Sequence, residues 1–452
     1  MKASSSRAAV GAETERGRFL FLALGFYLFL LFFRPFDQLT WLQSLHLPMV
    51  TGGVCVVAYV VQRFSAGQAV VPLSPITRAL GLLTAWILVT IPLSFWISGS
   101  LQTFWDAWVK MVILYILLAN VPQSARQVWS AVWVCIVGAL GVSLMAVALK
   151  VLTGESVAEG RLVTNASGLY SGPNFFAMTL ILLLPFALFT FFLHTRLVVR
   201  LFAGFVVATF TLANLMTESR GGLLVETAVV LLVFWKLRDW GISLVKTVGV
   251  LVLGCVLILP LAPQGLWQRF SALFSSADVS QVDPNSTAGS ALVSMQEREM
   301  LLVRALILTK ENPIFGVGMN NFPAAAHARF NSGAGEWLGC HDTFLQLSAE
   351  LGIPGLLLHL FLLYVTFKSL RELRRRVTAA QTTLPHFREI RMASDATMVS
   401  FCGYVLFSTV AHLGYQPYFF IVAGIGLSLI NLVSRIDVRA PARDALAPAA
   451  AA

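Results

Sequence analysis

Apolar stretches near the length of a bilayer crossing recur along this chain and constrain its fold more than any other feature. A transmembrane helix needs about 20 consecutive, mainly apolar residues. Hydrophobic residues make up 57% of the 452 residues, and the 12% that are charged are about half the share of a soluble domain. The sequence therefore predicts an all-α polytopic membrane protein with about 12 transmembrane helices. These lie at roughly 19–33, 47–62, 79–99, 104–121, 128–152, 174–193, 200–216, 221–236, 244–261, 341–367, 397–413 and 416–434.

The predicted helices divide the chain into an N-terminal tail, nine helices, a long loop, three helices and a C-terminal tail. The first apolar run is expected to stay in the protein, because no small-residue cleavage site follows it. The long loop between helices 9 and 10 is expected to be partly helical, and the Ala/Pro-rich C-terminal tail to be disordered. The boundaries are 1–18, 19–261, 262–340, 341–434 with a basic connection at 368–396, and 435–452.

Basic residues concentrate in alternate connections, which predicts the orientation. Seven Lys and Arg residues lie in connection 368–396, and the N-terminal tail is also basic. The opposite set has most of its basic residues in the long loop 262–340, and long loops count little in the positive-inside rule. Both termini are therefore predicted to be cytoplasmic, with the long loop outside. The net charge of +10 follows from this pattern, so we expect membrane lipids rather than nucleic acid as partners.

Several common kinds of site find no support in the sequence. Four of the five cysteines fall inside apolar runs and only Cys340 lies in an aqueous loop, so no disulfide is expected. The chain has no CxxC pair and no HExxH motif, and hence no predicted metal site. It also lacks a Walker A motif and a Rossmann fingerprint, so no nucleotide cofactor is expected.

The second half of the long loop is predicted to contain an amphipathic helix. A capping-box pattern at Ser294-x-x-Glu297 predicts its start, and Asn312-Pro313 predicts its end. Arg298 continues the apolar face of this helix, whereas Arg304 points away from it. A guanidinium on a buried face needs an anionic partner. Arg298 is therefore predicted either to form a salt bridge or to bind a phosphate. The apolar face consists of Leu301, Leu302, Ala305, Leu308 and Thr309.

His341 is the candidate base. It falls where the long loop meets the membrane, at the N-terminal end of a predicted transmembrane helix. A histidine there titrates near neutrality and could take a proton from a sugar hydroxyl, although a structural role is the alternative. Asp342 and Glu350 are candidate supporting residues, and Glu350 could be structural or could orient His341. Cys340 is expected to be inert.

Short loops on the same outer face add cationic candidates. Arg220 lies in a tight turn between two apolar runs, and Arg161 and Asn174 flank another short loop. Each arginine could simply reach for lipid headgroups. Three arginines and one histidine on one face instead favour binding of a diphosphate, because a guanidinium group readily binds phosphate oxygens through two parallel hydrogen bonds.

The stretch of about 210–360 resembles the O-antigen ligase and O-antigen polymerase superfamily of bacterial envelopes. That superfamily has many membrane helices and a large periplasmic loop, with Gly-Arg, then Pro-x-x-Gly-x-Gly, then His-(Asn/Ser)-x-x-Leu-x-x-x-x-Glu-x-Gly. Here Arg298 precedes Pro313 by fifteen residues, and the closing motif starts at His341. The chain departs from the pattern where Glu297 replaces the Gly and Asp342 replaces Asn or Ser. The turn Ser219-Arg220-Gly221-Gly222 matches a further pattern.

The resemblance implies glycosyl transfer on the periplasmic face of the bacterial inner membrane, without a nucleotide sugar. In a ligase, O-antigen moves from undecaprenyl diphosphate to a sugar hydroxyl of lipid A–core, in lipopolysaccharide biosynthesis. Arg161, Arg220 and Arg298 are then predicted to bind the diphosphate, and Arg220 and Arg298 to join His341 as catalytic residues. Direct attack would invert the anomeric centre, with no metal and no cofactor.

Two alternatives stay open at this point. A polymerase would extend the lipid-linked glycan, but twelve helices and one dominant loop favour the ligase. A transporter or flippase would show similar halves and charged residues at mid-bilayer. The halves of this sequence look dissimilar, and its polar candidates cluster on one outer face. A protein-glycosylating relative is disfavoured because only about 18 residues follow the last predicted helix.

Overall fold

The protein is a bundle of α-helices, as the sequence predicts. The computed structural model describes residues 2–153, 162, 168–271, 287–330, 338–381 and 384–444, and none of these lies in a strand. Arg161 falls outside the described residues. The helices are α1 (Lys2–Phe33), α2 (Pro35–Gln38), α3 (Leu47–Ser65), α4 (Pro75–Thr90), α5 (Ile97–Thr103), α6 (Lys110–Asn120), α7 (Ala125–Thr153), α8 (Pro173–Leu193), α9 (Leu197–Met216), α10 (Arg220–Leu237), α11 (Leu244–Ile258), α12 (Gln264–Ser271), α13 (Thr287–Glu311), α14 (Phe322–Phe330), α15 (Thr343–Ala379), α16 (Phe387–Phe407) and α17 (Tyr418–Asp444).

Among the described residues, eight helical segments are long and apolar enough to cross a membrane, so this is a membrane protein. Shorter apolar helices cover Gly17–Phe33 and Val245–Gly254. The other two predicted spans correspond to α10 and α16, which carry more charged side chains. The count of about 12 spans stays a prediction. The eight segments are Trp41–Ser65, Pro75–Leu93, Ile97–Asn120, Ala125–Leu152, Pro173–Leu193, Leu197–Met216, Thr343–Ala379 and Tyr418–Ile436.

Helix α8 forms the centre of the bundle. Every side chain from Phe176 to Thr190 is buried, and α8 packs against α7, α9, α10 and α16. A helix that is apolar on all sides can be buried by other helices on every side. The N-terminal ends of α8 and α10 are therefore held by a common core.

The buried carboxylate inside α10 is hydrogen-bonded by two side chains of α9. The buried Glu226 carboxylate accepts hydrogen bonds from Thr211 Oγ1 at 2.6 Å and from Asn214 Nδ2. An ionisable group within a membrane bundle is costly unless it is paired or hydrogen-bonded. Glu226 thus ties α9 to α10 just below the turn that carries Arg220.

The basic segment 368–396 is largely helical. Helix α15 continues to Ala379 and α16 begins at Phe387, which leaves a short connection. Arg374 forms ion pairs with Asp239 and, at 2.9 Å, with Asp395, whose side chain is 0% exposed. Trp240 Nε1 also donates to Asp395 Oδ2 at 3.0 Å. Arg374 therefore joins α15, α16 and the end of α10, whereas its neighbours Arg375 and Arg376 keep the exposure that a lipid contact needs.

Replacement of Arg374 by Ala is expected to lower the free energy of unfolding by about 1–3 kcal/mol, because it removes a charged partner from a buried carboxylate. Arg375, next in sequence, has a side chain that is 77% exposed and lies 3.9 Å from Glu372. Arg375→Ala is the matched control and should change stability by less than about 0.5 kcal/mol. Thermal unfolding of both variants in the same detergent measures the difference, and equal midpoints would contradict the role of the pair.

Candidate active site

Helix α15 is interrupted at Gly352. This residue adopts φ 71° and ψ 178°, outside the helical region, and a Cβ there would overlap the carbonyl of Ile314. The interruption frees backbone carbonyls within the helix. Two of them find new donors, because Ala349 O accepts from Val317 N and Glu350 O accepts from Gly318 N, each at 2.8 Å.

The donors come from the Pro-x-x-Gly-x-Gly turn that follows α13. Gly316 has φ 68° and Gly318 has φ 103°, and a Cβ at Gly316 would overlap the backbone of Glu350. On the other side of the break, Ile353 N donates to Pro313 O at 2.8 Å. The glycines are thus needed for close approach of two backbones as well as for positive φ. The two motifs that are separate in sequence form a single interlocked unit.

Glu350 fastens α14 to this unit. Its carboxylate is 1% exposed, accepts from the backbone N–H of Phe322 at 3.1 Å, and accepts from Gln346 Nε2 at 3.3 Å. Phe322 is the first residue of α14, so the carboxylate satisfies an N–H that the helix itself cannot. Of the two roles that the sequence allows for Glu350, these contacts favour the structural one.

The start of α15 places His341. Asp342 caps the helix, since its Oδ1 accepts from Leu345 N at 2.8 Å, and burial raises the pKa of this carboxyl. His341 itself has a left-handed backbone with φ 56° and is partly exposed. Cys340 is buried, and burial raises the pKa of its thiol to about 12, so the thiol stays protonated as predicted.

The connection between α16 and α17, residues 408–417, is locked to this start. Thr343 N donates to Ser408 O at 2.8 Å, and Thr343 Oγ1 donates to Ala411 O at 2.7 Å. The same hydroxyl accepts from Leu413 N at 2.9 Å. One threonine side chain therefore fixes the 408–417 connection beside His341.

This connection brings a second histidine into the site. The ring centroid of His412 lies 5.2 Å from that of His341 in an edge-on arrangement. On its other side it lies 5.3 Å from the ring of Phe175, at the start of α8. Sequence reasoning missed His412 because the apolar run 397–413 predicts helix through it, whereas α16 ends at Phe407. Gly414 and Pro417 are the residues from which an earlier end of this helix could have been predicted.

Arg220 is the first residue of α10, and its turn is tied to α8. Ser219 caps α10 by accepting from Gly222 N at 3.1 Å, and its hydroxyl donates to Asn174 Oδ1 at 2.7 Å. A Cβ on Gly221 would lie 2.9 Å from Val410 Cγ2. The predicted supporting residue Asn174 therefore holds the Arg220 turn, and this turn packs against the connection that carries His412.

The turn between α9 and α10 also takes part in an ion pair with the end of α7. Glu218 is buried, has a left-handed backbone with φ 53°, and lies 3.9 Å from Lys150 Nζ at the end of α7. Lys150 also donates to Met216 O at 3.3 Å. The turn between α9 and α10 is thus held by contacts on both of its sides.

Arg298 lies on the face of α13 that packs against α15. One turn further along that face, Leu301 and Ala305 are buried in a cluster with Cys340 and Ala349, and Thr309 Oγ1 meets Ser348 Oγ at 2.9 Å. The predicted inner face is confirmed. Arg304 lies away from it, 5.4 Å over the ring of Phe330.

The predicted start of this helix is wrong, whereas its predicted end is confirmed. Helix α13 begins at Thr287, so the Ser294-x-x-Glu297 pattern lies inside the helix rather than at its cap. It ends at Glu311, immediately before Asn312-Pro313.

The assembled site combines helix N-terminal ends with charged side chains of both signs, because Asp342 and Glu218 lie at two of these ends. The N-terminal ends of α8, α10 and α15 meet around the 408–417 connection, through the contacts of Phe175, Gly221 and Thr343. Each end contributes about half a positive charge, and Arg220 adds a guanidinium. Helix N-terminal ends favour binding of a phosphate group, and His341 immediately precedes the cap of α15. The described residues hold no group of three or more His, Cys, Asp or Glu side chains that could ligate a metal ion.

Comparison with known families agrees with this geometry. Residues 205–360 match the family model described as O-Antigen ligase. The match confirms the resemblance to the O-antigen ligase and polymerase superfamily, and it spans Arg220, Arg298, His341 and the interlocked motifs around Gly352. It covers about a third of the chain. No curated protein matches the sequence at a significant level.

Replacement of Gly352 by Ala is expected to disrupt the interlocked turn. The new Cβ would overlap the Ile314 carbonyl at a positive φ, which costs about 1–3 kcal/mol in backbone strain before any clash. Gly81→Ala in α4 is the matched control, because nothing lies within 4 Å of a Cβ at that helical position. Thermal unfolding in detergent should show a lower midpoint for Gly352→Ala alone. Similar midpoints for both variants would contradict the proposed tight approach.

Proposed function

We propose that this protein is an O-antigen ligase. It transfers the O-antigen glycan from undecaprenyl diphosphate to a sugar hydroxyl of lipid A–core, on the periplasmic face of the inner membrane, with both termini in the cytoplasm. The observation that carries the proposal is the meeting of three helix N-terminal ends at the 408–417 connection, where α10 begins with Arg220 and α15 follows His341. This arrangement suits a reaction whose leaving group is a diphosphate and whose nucleophile must lose a proton.

The arginines act on the leaving group. When the bond between the sugar and the diphosphate breaks, negative charge grows on the bridging oxygen, and guanidinium groups placed there stabilise the transition state. We assign this role to Arg220, which follows the helix cap at Ser219. Arg298 and Arg161 complete the proposed diphosphate site.

His341 acts on the acceptor. A sugar hydroxyl is a weak nucleophile until a base removes its proton, and a neutral imidazole can take that proton as the new glycosidic bond forms. His341 has a left-handed backbone and immediately precedes the cap at Asp342, so it lies at the N-terminal end of α15. Attack from the side opposite the diphosphate inverts the anomeric centre.

Purified protein, undecaprenyl-diphosphate-linked O-antigen and a lipid A–core acceptor test this function directly, with products resolved on a gel. Appearance of glycan-bearing lipid A–core supports the ligase. Growth of the lipid-linked glycan with the acceptor unchanged would replace the ligase by a polymerase. If neither product forms, the proposed transfer fails and transport becomes the function to test.

Arg298→Ala is expected to lower kcat by about 10²–10³-fold, the effect of losing one group that stabilises charge in the transition state. Arg304→Ala is the matched control, because Arg304 lies on the same helix but away from the α15-facing side. That variant should keep the wild-type rate. Equal rates in the two variants would show that Arg298 is not part of the diphosphate site.

His341→Ala is expected to lower kcat by about 10²–10⁴-fold, because the acceptor hydroxyl loses its general base. The exposed His386, which precedes α16 at its far end from the 408–417 connection, provides the control variant His386→Ala. A folded His341→Ala protein that ligates at the wild-type rate would show that another group is the base.

A further inference from the structure

The second histidine of the site, His412, is enclosed by other parts of the protein. Its ring lies between those of His341, at 5.2 Å and an interplanar angle of 76°, and Phe175, at 5.3 Å and 86°. A Cβ on Gly339 would approach His412 Nε2 to 2.8 Å. The imidazole is thus fixed in place by α8, by the segment before α15 and by its own connection.

The Nδ1 atom of His412 is buried and has no hydrogen-bond partner among the described residues. A buried polar atom without a partner destabilises the folded state. Phenylalanine would fill the same space without that cost, so packing alone does not account for an imidazole here. An unsatisfied buried group in a native protein calls for an explanation, and a catalytic role is one of the common ones.

The electrostatics of the pocket keep this nitrogen able to accept a hydrogen bond. Burial lowers the pKa of His412 to about 4, so the ring is neutral at neutral pH. A neutral imidazole with its proton on Nε2 offers the Nδ1 lone pair as an acceptor. A centroid separation of 5.2 Å allows nitrogens of the two rings to approach to about 3 Å, which is hydrogen-bonding distance.

We propose that His412 is a positioning residue whose Nδ1 accepts a hydrogen bond from His341 when His341 becomes protonated. This inference rests on the proposed glycosyl transfer. In that step the O–H bond of the acceptor breaks and its proton moves to His341. The acceptor oxygen forms the new bond to the sugar, and the bond to the diphosphate breaks. The imidazolium donates its other N–H to His412, and later releases its extra proton to water, since His341 is partly exposed.

Three substitutions at His412 separate an acceptor from a packing role. His412→Asn places an oxygen near the Nδ1 position, His412→Phe keeps the ring without any acceptor, and His412→Ala removes both. Relative to wild type, we expect kcat to fall at least about tenfold for Phe and Ala and to stay within about threefold for Asn, with KM unchanged throughout. The unfolding temperature of the Phe variant should equal or exceed that of wild type.

Two outcomes would overturn the inference. Wild-type kcat in His412→Phe would show that the ring serves packing alone. Equal losses in well-folded Asn and Phe variants would show that an acceptor at Nδ1 does not help. If the Ala variant does not fold, the comparison of Asn with Phe still decides the question. An inactive wild-type protein would instead refute the proposed transfer itself, and so the two failures are distinguishable.

Discussion

The hydrogen bonds from Val317 and Gly318 to carbonyls released at Gly352 hold the site together. A transmembrane helix cannot leave backbone carbonyls unsatisfied in the membrane. The break in α15 therefore requires backbone N–H donors from another segment nearby. The glycine-rich turn after α13 is that segment. With the turn in this position, α13 lies along α15 with Arg298 on its inner face, and α14 starts beside the carboxylate of Glu350. The positions of two candidate residues therefore follow from one irregularity in one helix.

Much of this arrangement could be predicted from the sequence. Most of the apolar runs overlap helices of the structure, and the spacing of Leu301, Ala305 and Leu308 correctly predicts the buried face of α13. The motif residues Arg220, Arg298 and His341 identify the superfamily. The ligase reaction and the side of the membrane stay predictions.

Other parts could not be predicted, for identifiable physical reasons. Helix ends inside apolar sequence carry weak signals, which hid His412 within a predicted span. The pattern at Ser294 resembles a cap, but helix propensity continues through it and α13 starts earlier. Arg374 looks like one of three equivalent basic residues until folding brings Asp395 and Asp239 beside it. Each of these outcomes depends on contacts between residues far apart in the chain.

The lock between Thr343 and the 408–417 connection has a consequence for biogenesis. During synthesis, Asn174 and Arg220 leave the ribosome about 190 residues or more before Ser408, Ala411 and His412 do. Until α16 and α17 insert, the nascent protein holds an arginine-bearing turn without the segment that fixes His341. The candidate site is therefore assembled only once α16 and α17 have packed against the earlier helices.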